Sequence, residues 1–245
     1  MITKQKYYED SYLQTHEGKI VRAVAKGALY NVVLDQTIFY PEGGGQPSDV
    51  GTLESGDYSA KVEYVRIIDG EIIHQVKSII EPRVGDVIKE NIYWNWRYKY
   101  MRIHTAGHLL HDSLMTVYPD LKPLRGSHGK KAELEYEGQV QPEDLEKITR
   151  VTNDFLNKDL PVVTKEATSE ELEKECKFIP SNLPRNKKLR WCSCKIYKRN
   201  WQNLDCEYIK HRRKDNYSLR GSKLIIRKSL SVRLFDEIRT FFERN

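Results

Sequence analysis

Long apolar runs and cysteines are both scarce in this sequence. No stretch of about 18 apolar residues occurs, so no segment has the length and composition of a membrane-spanning helix. Residues 1–8 lack the apolar segment of a secretory signal, which predicts a cytoplasmic location. The 4 cysteines in 245 residues are too few for a disulfide framework, so we expect them to be core residues or metal ligands.

Two common catalytic signatures are also missing. Thr105 follows His104, so the pair His104 and His108 does not form the His-Glu-x-x-His signature of zinc peptidases. The triple glycine at 43–45 is not followed by Gly-Lys-Ser or Gly-Lys-Thr, so it is not a P-loop. These absences argue against a peptidase and against a P-loop nucleotide hydrolase.

The charge of the chain is unevenly distributed. Residues 185–245 contain 18 Lys and Arg against 6 Asp and Glu, whereas the rest of the chain is net acidic. Aromatic residues such as Trp191, Trp201 and Tyr217 are interspersed with these basic residues. Basic residues neutralise phosphates and aromatic rings stack on bases, so this quarter favours a nucleic-acid partner over a merely solvated basic face.

The distribution of short apolar segments predicts an α+β protein. Residues 20–24, 28–34, 59–67 and 71–76 are rich in β-branched residues and separated by turn signals, including Asp69-Gly70. They indicate a small barrel or sandwich, and we expect a β-barrel domain over residues 1–95. An α+β domain over 96–245 follows, with predicted helices at 142–156, 169–176 and 232–242 and strands at 160–164, 189–197 and 223–227.

Residues 101–114, Met-Arg-Ile-His-Thr-Ala-Gly-His-Leu-Leu-His-Asp-Ser-Leu, are predicted to form a helix. On it, His104 and His108 lie one turn apart on one face, and His111 continues that face. Two imidazoles at this spacing can bind one metal ion, and Zn²⁺ is the usual ion for nitrogen ligands. The spacing alone is weak evidence, because such a metal site needs further ligands from elsewhere in the chain.

A second unusual segment is residues 39–49, Phe-Tyr-Pro-Glu-Gly-Gly-Gly-Gln-Pro-Ser-Asp. Gly43, Gly44 and Gly45 tolerate positive φ, and their amides can face a ligand directly. The side-chain amide of Gln46 can both donate and accept hydrogen bonds. Taken alone, the segment could equally be a hairpin loop without a ligand.

The two segments in this order resemble the alanyl-tRNA editing proteins of the AlaX family, free-standing homologues of the editing domain of alanyl-tRNA synthetase. The resemblance covers nearly the whole chain and continues through Leu-Arg-Gly-Ser-His-Gly at 124–129 and Lys-Ala-Glu-Leu-Glu-Tyr-Glu-Gly at 131–138. It implies an N-terminal barrel carrying the glycine-rich segment, followed by an α+β editing domain with a zinc-binding helix.

The resemblance also implies further zinc ligands. In the family a Cys-x-x-x-His element joins the two helix histidines, and Cys206 stands at the expected cysteine. Here Lys210 occupies the position four residues later, and His211 comes one residue late. Either a bulge lets His211 reach the metal, or the fourth ligand is lost. The alternative donors are His111, Cys192 and Cys194, whereas His128 in a loop could border the pocket or simply be exposed.

The implied activity is zinc-dependent hydrolysis of seryl- or glycyl-tRNA(Ala). In this interpretation zinc, held by His104, His108, Cys206 and His211, lowers the pKa of water to about 7. Other roles follow from the resemblance, with Gln46 and Thr105 catalytic, Gly43, Gly44, Gly45 and Gln46 binding the substrate, and Lys210, Arg212, Arg213 and Lys214 binding tRNA. The alternative is a non-catalytic tRNA-binding paralogue whose metal site is degenerate or structural.

Overall fold

The structure, a computed structural model, describes residues 2–158 and 166–174 and the backbone of 162–165, 175, 189–194, 203–204 and 223–226. The chain forms two compact units, Met1–Met101 and Arg102–Asn245. The assignment of separate roles to residues 1–95 and 96–245 stays a prediction.

The first unit is built around a closed antiparallel barrel. The strands of this unit are β1 (Lys4–Gln5), β2 (Thr15–Lys26), β3 (Leu29–Leu34), β4 (Gln36–Thr37), β5 (Gly51–Ser55), β6 (Tyr58–Ile68), β7 (Glu71–Ser78) and β8 (Val87–Ile92). The barrel closes in the order β2-β3-β7-β6-β5-β8, and β1 pairs with β4 beside it. The predicted N-terminal β-barrel is therefore confirmed.

Alternation of side chains explains why these segments form a barrel. Along β6, Tyr58, Ala60 and Val62 are buried, while the residues between them are exposed. The hairpin from β6 to β7 turns at Asp69 and Gly70, whose φ angles of 49° and 83° are both positive. Two positive φ angles are the geometry of the type I′ turn that Asp-Gly predicts.

The second unit contains most of the long helix α1 (Trp94–Val117), followed by β9 (Lys122–Ser127), β10 (Glu133–Glu137) and α2 (Leu145–Leu156). A short 3₁₀ turn at Pro142–Asp144 precedes α2, so the helix predicted over 142–156 is regular only from Leu145. One face of α1, carrying Ala106, Leu109 and Leu110, packs into a core with residues of β10 and α2. The histidines at 104 and 108 therefore point away from that core, as helical periodicity requires.

The remaining described elements are β11 (Val162–Ala167), α3 (Ser169–Glu175), β12 (Leu189–Cys194), β13 (Asn203–Leu204) and β14 (Lys223–Ile226). β12 lies between β11 and β13, and β14 pairs with β10, which also pairs with β9. The helix predicted at 232–242 lies outside the described residues. In the part of the chain that the structure describes, no helix is long and apolar enough to cross a membrane.

Candidate metal centre

Three histidines of the second unit converge. One ring nitrogen each from His104, His108 and His128 lies within 4.8 Å of the others. His104 and His108 come from successive turns of α1, and His128 is the first residue after β9. The rings of His104 and His128 stack with centroids 4.2 Å apart, and those of His104 and His108 are 4.9 Å apart. Three converging imidazoles are a donor set that fits a zinc ion with a coordination position left open.

Exposure and charge at this cluster suit metal binding. His128 is buried, with only 1% of its surface exposed, whereas His104 and His108 are half-buried. Burial and the neighbouring His108 hold the pKa of His104 well below its usual value. His104 is therefore neutral at physiological pH, and a neutral imidazole is the form that binds a metal ion.

Two further groups of α1 lie near this cluster in sequence. His111 Nδ1 lies 2.7 Å from the Tyr136 hydroxyl, and burial lowers the pKa of His111 to about 3. His111, one of the alternative donors, does not belong to the converging group, and its ring contacts Tyr136 instead. Asp112 is buried one turn beyond His108, and burial raises its pKa to about 7.

The glycine-rich segment lies in the first unit and forms a tight turn. Gly43 N donates to Gln46 O at 3.2 Å, and Gln46 N donates to Gly43 O at 2.9 Å. Gly44 and Gly45 occupy the two central positions with φ of 55° and 72°, which residues with a side chain rarely adopt. The amides of Gly43 and Gln46 therefore close the turn, which leaves those of Gly44 and Gly45 as the ones that could face a ligand.

The end of the same segment is fixed by a buried ion pair. Asp49 accepts hydrogen bonds from Arg97 Nε at 2.8 Å and from Tyr40 N at 2.7 Å. Arg97 also donates to the carbonyl oxygens of Ser11 and Ile38. Asp49 thus attaches the glycine-rich segment to the beginning of α1, and both charges are balanced by partners.

The other predicted site residues are distributed as follows. Thr105 is half-buried on α1, and Gln46 is buried in the first unit. Cys192 and Cys194 lie on β12, of which only the backbone is described, opposite Thr164 and Val162 of β11. The remaining predicted ligands and tRNA-binding residues, Cys206, Lys210, His211, Arg212, Arg213 and Lys214, lie outside the described residues. Their roles stay predictions.

His128 was not among the metal ligands predicted from the sequence, which left it as a loop residue that borders the pocket or is simply exposed. A histidine following Gly126 and Ser127 resembles an exposed loop residue, yet the structure buries it beside His104. The signal that could have found it is Gly107, an unusual glycine in the middle of a helix and directly before His108.

The chain is similar to alanyl-tRNA editing proteins and to alanine–tRNA ligases. Residues 3–96 match the family model described as tRNA synthetases class II (A). The alanyl-tRNA editing protein AlaX-L of Pyrococcus horikoshii is 38% identical over 162 residues, which are 65% of this chain and 40% of that protein. AlaX-M of the same organism is 35% identical over 157 residues, 64% of this chain and 69% of that protein.

A ligase is similar over a smaller share of its own length. The alanine–tRNA ligase of Pyrobaculum calidifontis is 35% identical over 184 residues, which are 72% of this chain and 20% of the ligase. The chain thus spans less than half of AlaX-L and one fifth of the ligase, but more than two thirds of AlaX-M.

Proposed function

This chain belongs to the AlaX family of alanyl-tRNA editing proteins, and we propose that it is an aminoacyl-tRNA deacylase that removes serine or glycine from wrongly charged alanine tRNA. In this reaction water attacks the carbonyl carbon of the aminoacyl ester, and the ribose oxygen leaves with a proton. The products are the free amino acid and intact tRNA.

The observation that carries the proposal is the convergence of His104, His108 and His128 within 4.8 Å. The first two belong to the helix segment on which the family resemblance depends. His104 and His108 are half-buried and His128 is buried. A closed structural site would instead use four protein donors.

The donors fit Zn²⁺, because imidazole nitrogen is one of its preferred ligands and the three nitrogens lie on one side of the helix. When bound, the ion supplies a Lewis acid that activates water near neutral pH and offsets charge developing on the ester oxygen. The contribution of the chain is to keep His104 neutral and to bring the three imidazoles to one place. The low pKa of His104 serves that role.

Gln46 and the glycine turn are proposed to bind the aminoacyl end of the substrate. Gln46 is buried, so its side-chain amide is held in place and can orient a polar group of the amino acid. The Thr105 hydroxyl, one residue from His104, is proposed to hydrogen-bond near the reacting ester. These two roles rest on the family resemblance together with the positions of the residues in the chain.

The tRNA itself is proposed to be held by the basic quarter of the sequence. Lys210, Arg212, Arg213 and Lys214 form its densest cluster of charge. Lysine and arginine contacts to phosphates supply affinity rather than base specificity, and they weaken as salt is raised. The family resemblance offers Cys206 and His211 as metal donors; both together with the three histidines would fill the open coordination position, so we propose them only as alternatives to His128.

The direct test is release of the amino acid from seryl-tRNA(Ala) and glycyl-tRNA(Ala) by zinc-replete protein. Correctly charged alanyl-tRNA(Ala) serves as the comparison substrate, and chelator-treated protein as the control for the metal. We expect rapid loss of serine or glycine, little loss of alanine, and no hydrolysis without metal.

Failure would take a recognisable form. If the protein binds alanine tRNA in a salt-dependent way but releases no amino acid above the uncatalysed rate, the deacylase proposal is wrong. The non-catalytic tRNA-binding paralogue would then be the correct interpretation. If hydrolysis persists in full after removal of the metal, the role of the histidine cluster is wrong.

A further inference from the structure

Gly107 lies in the interior of α1, between the two helix histidines. Glycine is among the poorest helix formers, so its presence there opposes the stability of the helix. We propose that Gly107 is a positioning residue for the metal centre, because only a residue without a Cβ lets the His128 imidazole lie beside His104 and His108. This inference rests on the proposed metal-binding role of the three histidines.

The contact geometry supports this directly. A Cβ built on Gly107 would lie 2.5 Å from His128 Cε1, 2.7 Å from Nδ1 and 3.7 Å from Nε2. The first two distances are far below van der Waals contact, so a methyl group and the ring cannot both occupy their present positions. The imidazole therefore lies directly against the backbone of α1.

The same geometry shows which side of the contact would move. The three heavy atoms nearest to the added Cβ all belong to the His128 side chain. A side chain that turns about χ1 and χ2 yields more easily than helix backbone fixed by hydrogen bonds. An alanine at 107 would therefore displace the His128 ring and leave the helix in place.

Displacement of the ring would take one donor from the cluster. The His128 ring stacks on His104 with centroids 4.2 Å apart and lies 5.8 Å from the ring of His108, and in this position its nitrogen lies within 4.8 Å of theirs. A shift of an ångström or more would leave two imidazoles one helical turn apart. Metal sites tolerate little error in ligand position, so the affinity falls when one donor moves away.

This mechanism makes a specific prediction about coupling. If Gly107 acts through His128, its substitution should harm metal binding only while His128 is present. Without the ring, Gly107→Ala should be harmless for the metal and should stabilise the helix, because alanine is the better helix former. A merely structural role for Gly107 would give the same loss in both backgrounds.

The experiment is a double-mutant cycle in Zn²⁺ affinity, measured by competition with a chelator in the absence of tRNA. The proteins are the unsubstituted chain, Gly107→Ala, His128→Ala and the double variant. We expect Gly107→Ala, which only positions a donor, to weaken binding by about 10-fold to 100-fold, and His128→Ala, which removes the donor, to weaken it at least as much. The double variant should bind Zn²⁺ as His128→Ala does. Its thermal unfolding midpoint should be higher than that of His128→Ala.

Two additions separate this result from damage to the helix. Thr116→Ala, on the exposed face of the same helix, raises helix propensity away from the cluster and should leave the Zn²⁺ affinity unchanged. X-ray absorption at the zinc edge should count one imidazole fewer in Gly107→Ser than in the unsubstituted chain. Far-UV circular dichroism checks that both Gly107 variants remain folded.

Three results would overturn the inference. They are unchanged affinity in Gly107→Ala, an equal loss in both backgrounds, and absence of Zn²⁺ binding by the unsubstituted chain. The test is independent of the deacylase proposal, because no tRNA is used. The two substitutions could prove coupled in Zn²⁺ affinity in a protein that cleaves no aminoacyl-tRNA. That result would support the role of Gly107 and refute the deacylase proposal.

Discussion

Buried histidines occur in both units of the chain, and they differ in how their ring nitrogens are used. In the barrel, His74 is fully buried, with Nδ1 3.1 Å from Val32 O and Nε2 2.9 Å from the Thr37 hydroxyl. In the second unit, His104, His108 and His128 turn their nitrogens toward one another. Both nitrogens of His74 are occupied by the fold, whereas the second unit gathers donors at one point.

The difference separates a structural histidine from a metal-binding one. Burial lowers the pKa of both kinds, to about 4 for His74 and well below the usual value for His104. A depressed pKa alone therefore cannot identify the functional group. What distinguishes the cluster is the convergence of three ring nitrogens at one place, and the predictions below test that distinction.

The largest effect is expected at His104. We expect His104→Ala to reduce deacylation to the uncatalysed rate and to abolish stoichiometric Zn²⁺ binding, because it removes a direct donor. His74→Ala should keep its Zn²⁺ affinity and instead lower the free energy of unfolding by about 2–5 kcal/mol, through a cavity and the lost hydrogen bonds.

The measurements are Zn²⁺ per folded chain and denaturant unfolding of both variants. Loss of Zn²⁺ in His74→Ala equal to that in His104→Ala would abolish the proposed distinction. Retention of one Zn²⁺ by His104→Ala would instead assign the ion to other donors, with Cys206 and His211 the first to test.

The second prediction extends the distinction to the glycine-rich segment. Asp49 belongs to that segment, yet Arg97 and Tyr40 N use its oxygens, so by the same criterion it is structural. Removing one partner of a buried ion pair leaves the other charge uncompensated. We expect Arg97→Met to lower the free energy of unfolding by about 3–5 kcal/mol.

A matched control is the exposed pair Lys61–Glu63, whose Nζ and Oε1 are 3.5 Å apart. We expect Lys61→Met to cost less than about 1 kcal/mol, because solvent screens such pairs. Neither variant should change the Zn²⁺ affinity of the folded protein. A small loss in Arg97→Met, comparable with that of the control, would refute the anchoring role of Asp49.

The sequence predicted features that depend on local chemistry. Alternation predicted β6 and β7, and Asp69-Gly70 predicted their turn, because period and turn geometry are properties of neighbouring residues. It did not reveal β5 or β8. In β8 three residues are buried, and the middle one is Glu90, a charged type that breaks the apolar alternation from which strands are recognised.

In the metal cluster, too, the sequence predicted what depends on neighbouring residues and not what depends on packing between distant ones. The spacing of His104 and His108 follows from helical periodicity, so the sequence could predict that they share a face. His128 joins them through packing of residues 20 or more positions apart, which no local pattern encodes. Gly107 was visible in the sequence, but its meaning depends on the ring that lies against it.

The last prediction concerns protons in the barrel. The Thr37 hydroxyl lies between His74 Nε2 and Glu90 Oε2. Val32 O can only accept, so neutral His74 carries its proton on Nδ1, and the Thr37 hydroxyl then donates to Nε2. The contact of Thr37 with Glu90 therefore needs a proton from the carboxylic acid, in agreement with a pKa of Glu90 that burial raises to about 8.

The raised pKa has a defined effect on stability. The folded protein keeps the Glu90 proton that the unfolded chain releases near pH 4.5, so this stabilisation is complete below pH 4.5 and is lost as the pH rises toward 8. Relative to Glu90→Gln, which imitates the neutral acid, the unsubstituted protein should lose up to about 1.4 kcal/mol per pH unit within that window. Denaturant unfolding of both proteins at several pH values measures this difference, which also cancels the contributions of the α1 groups His111 and Asp112. A difference that stays constant from pH 5 to 8 would mean that Glu90 is ionised in the folded barrel and that His74 carries the proton. His74 would then be a charged group, and its contrast with neutral His104 would no longer hold.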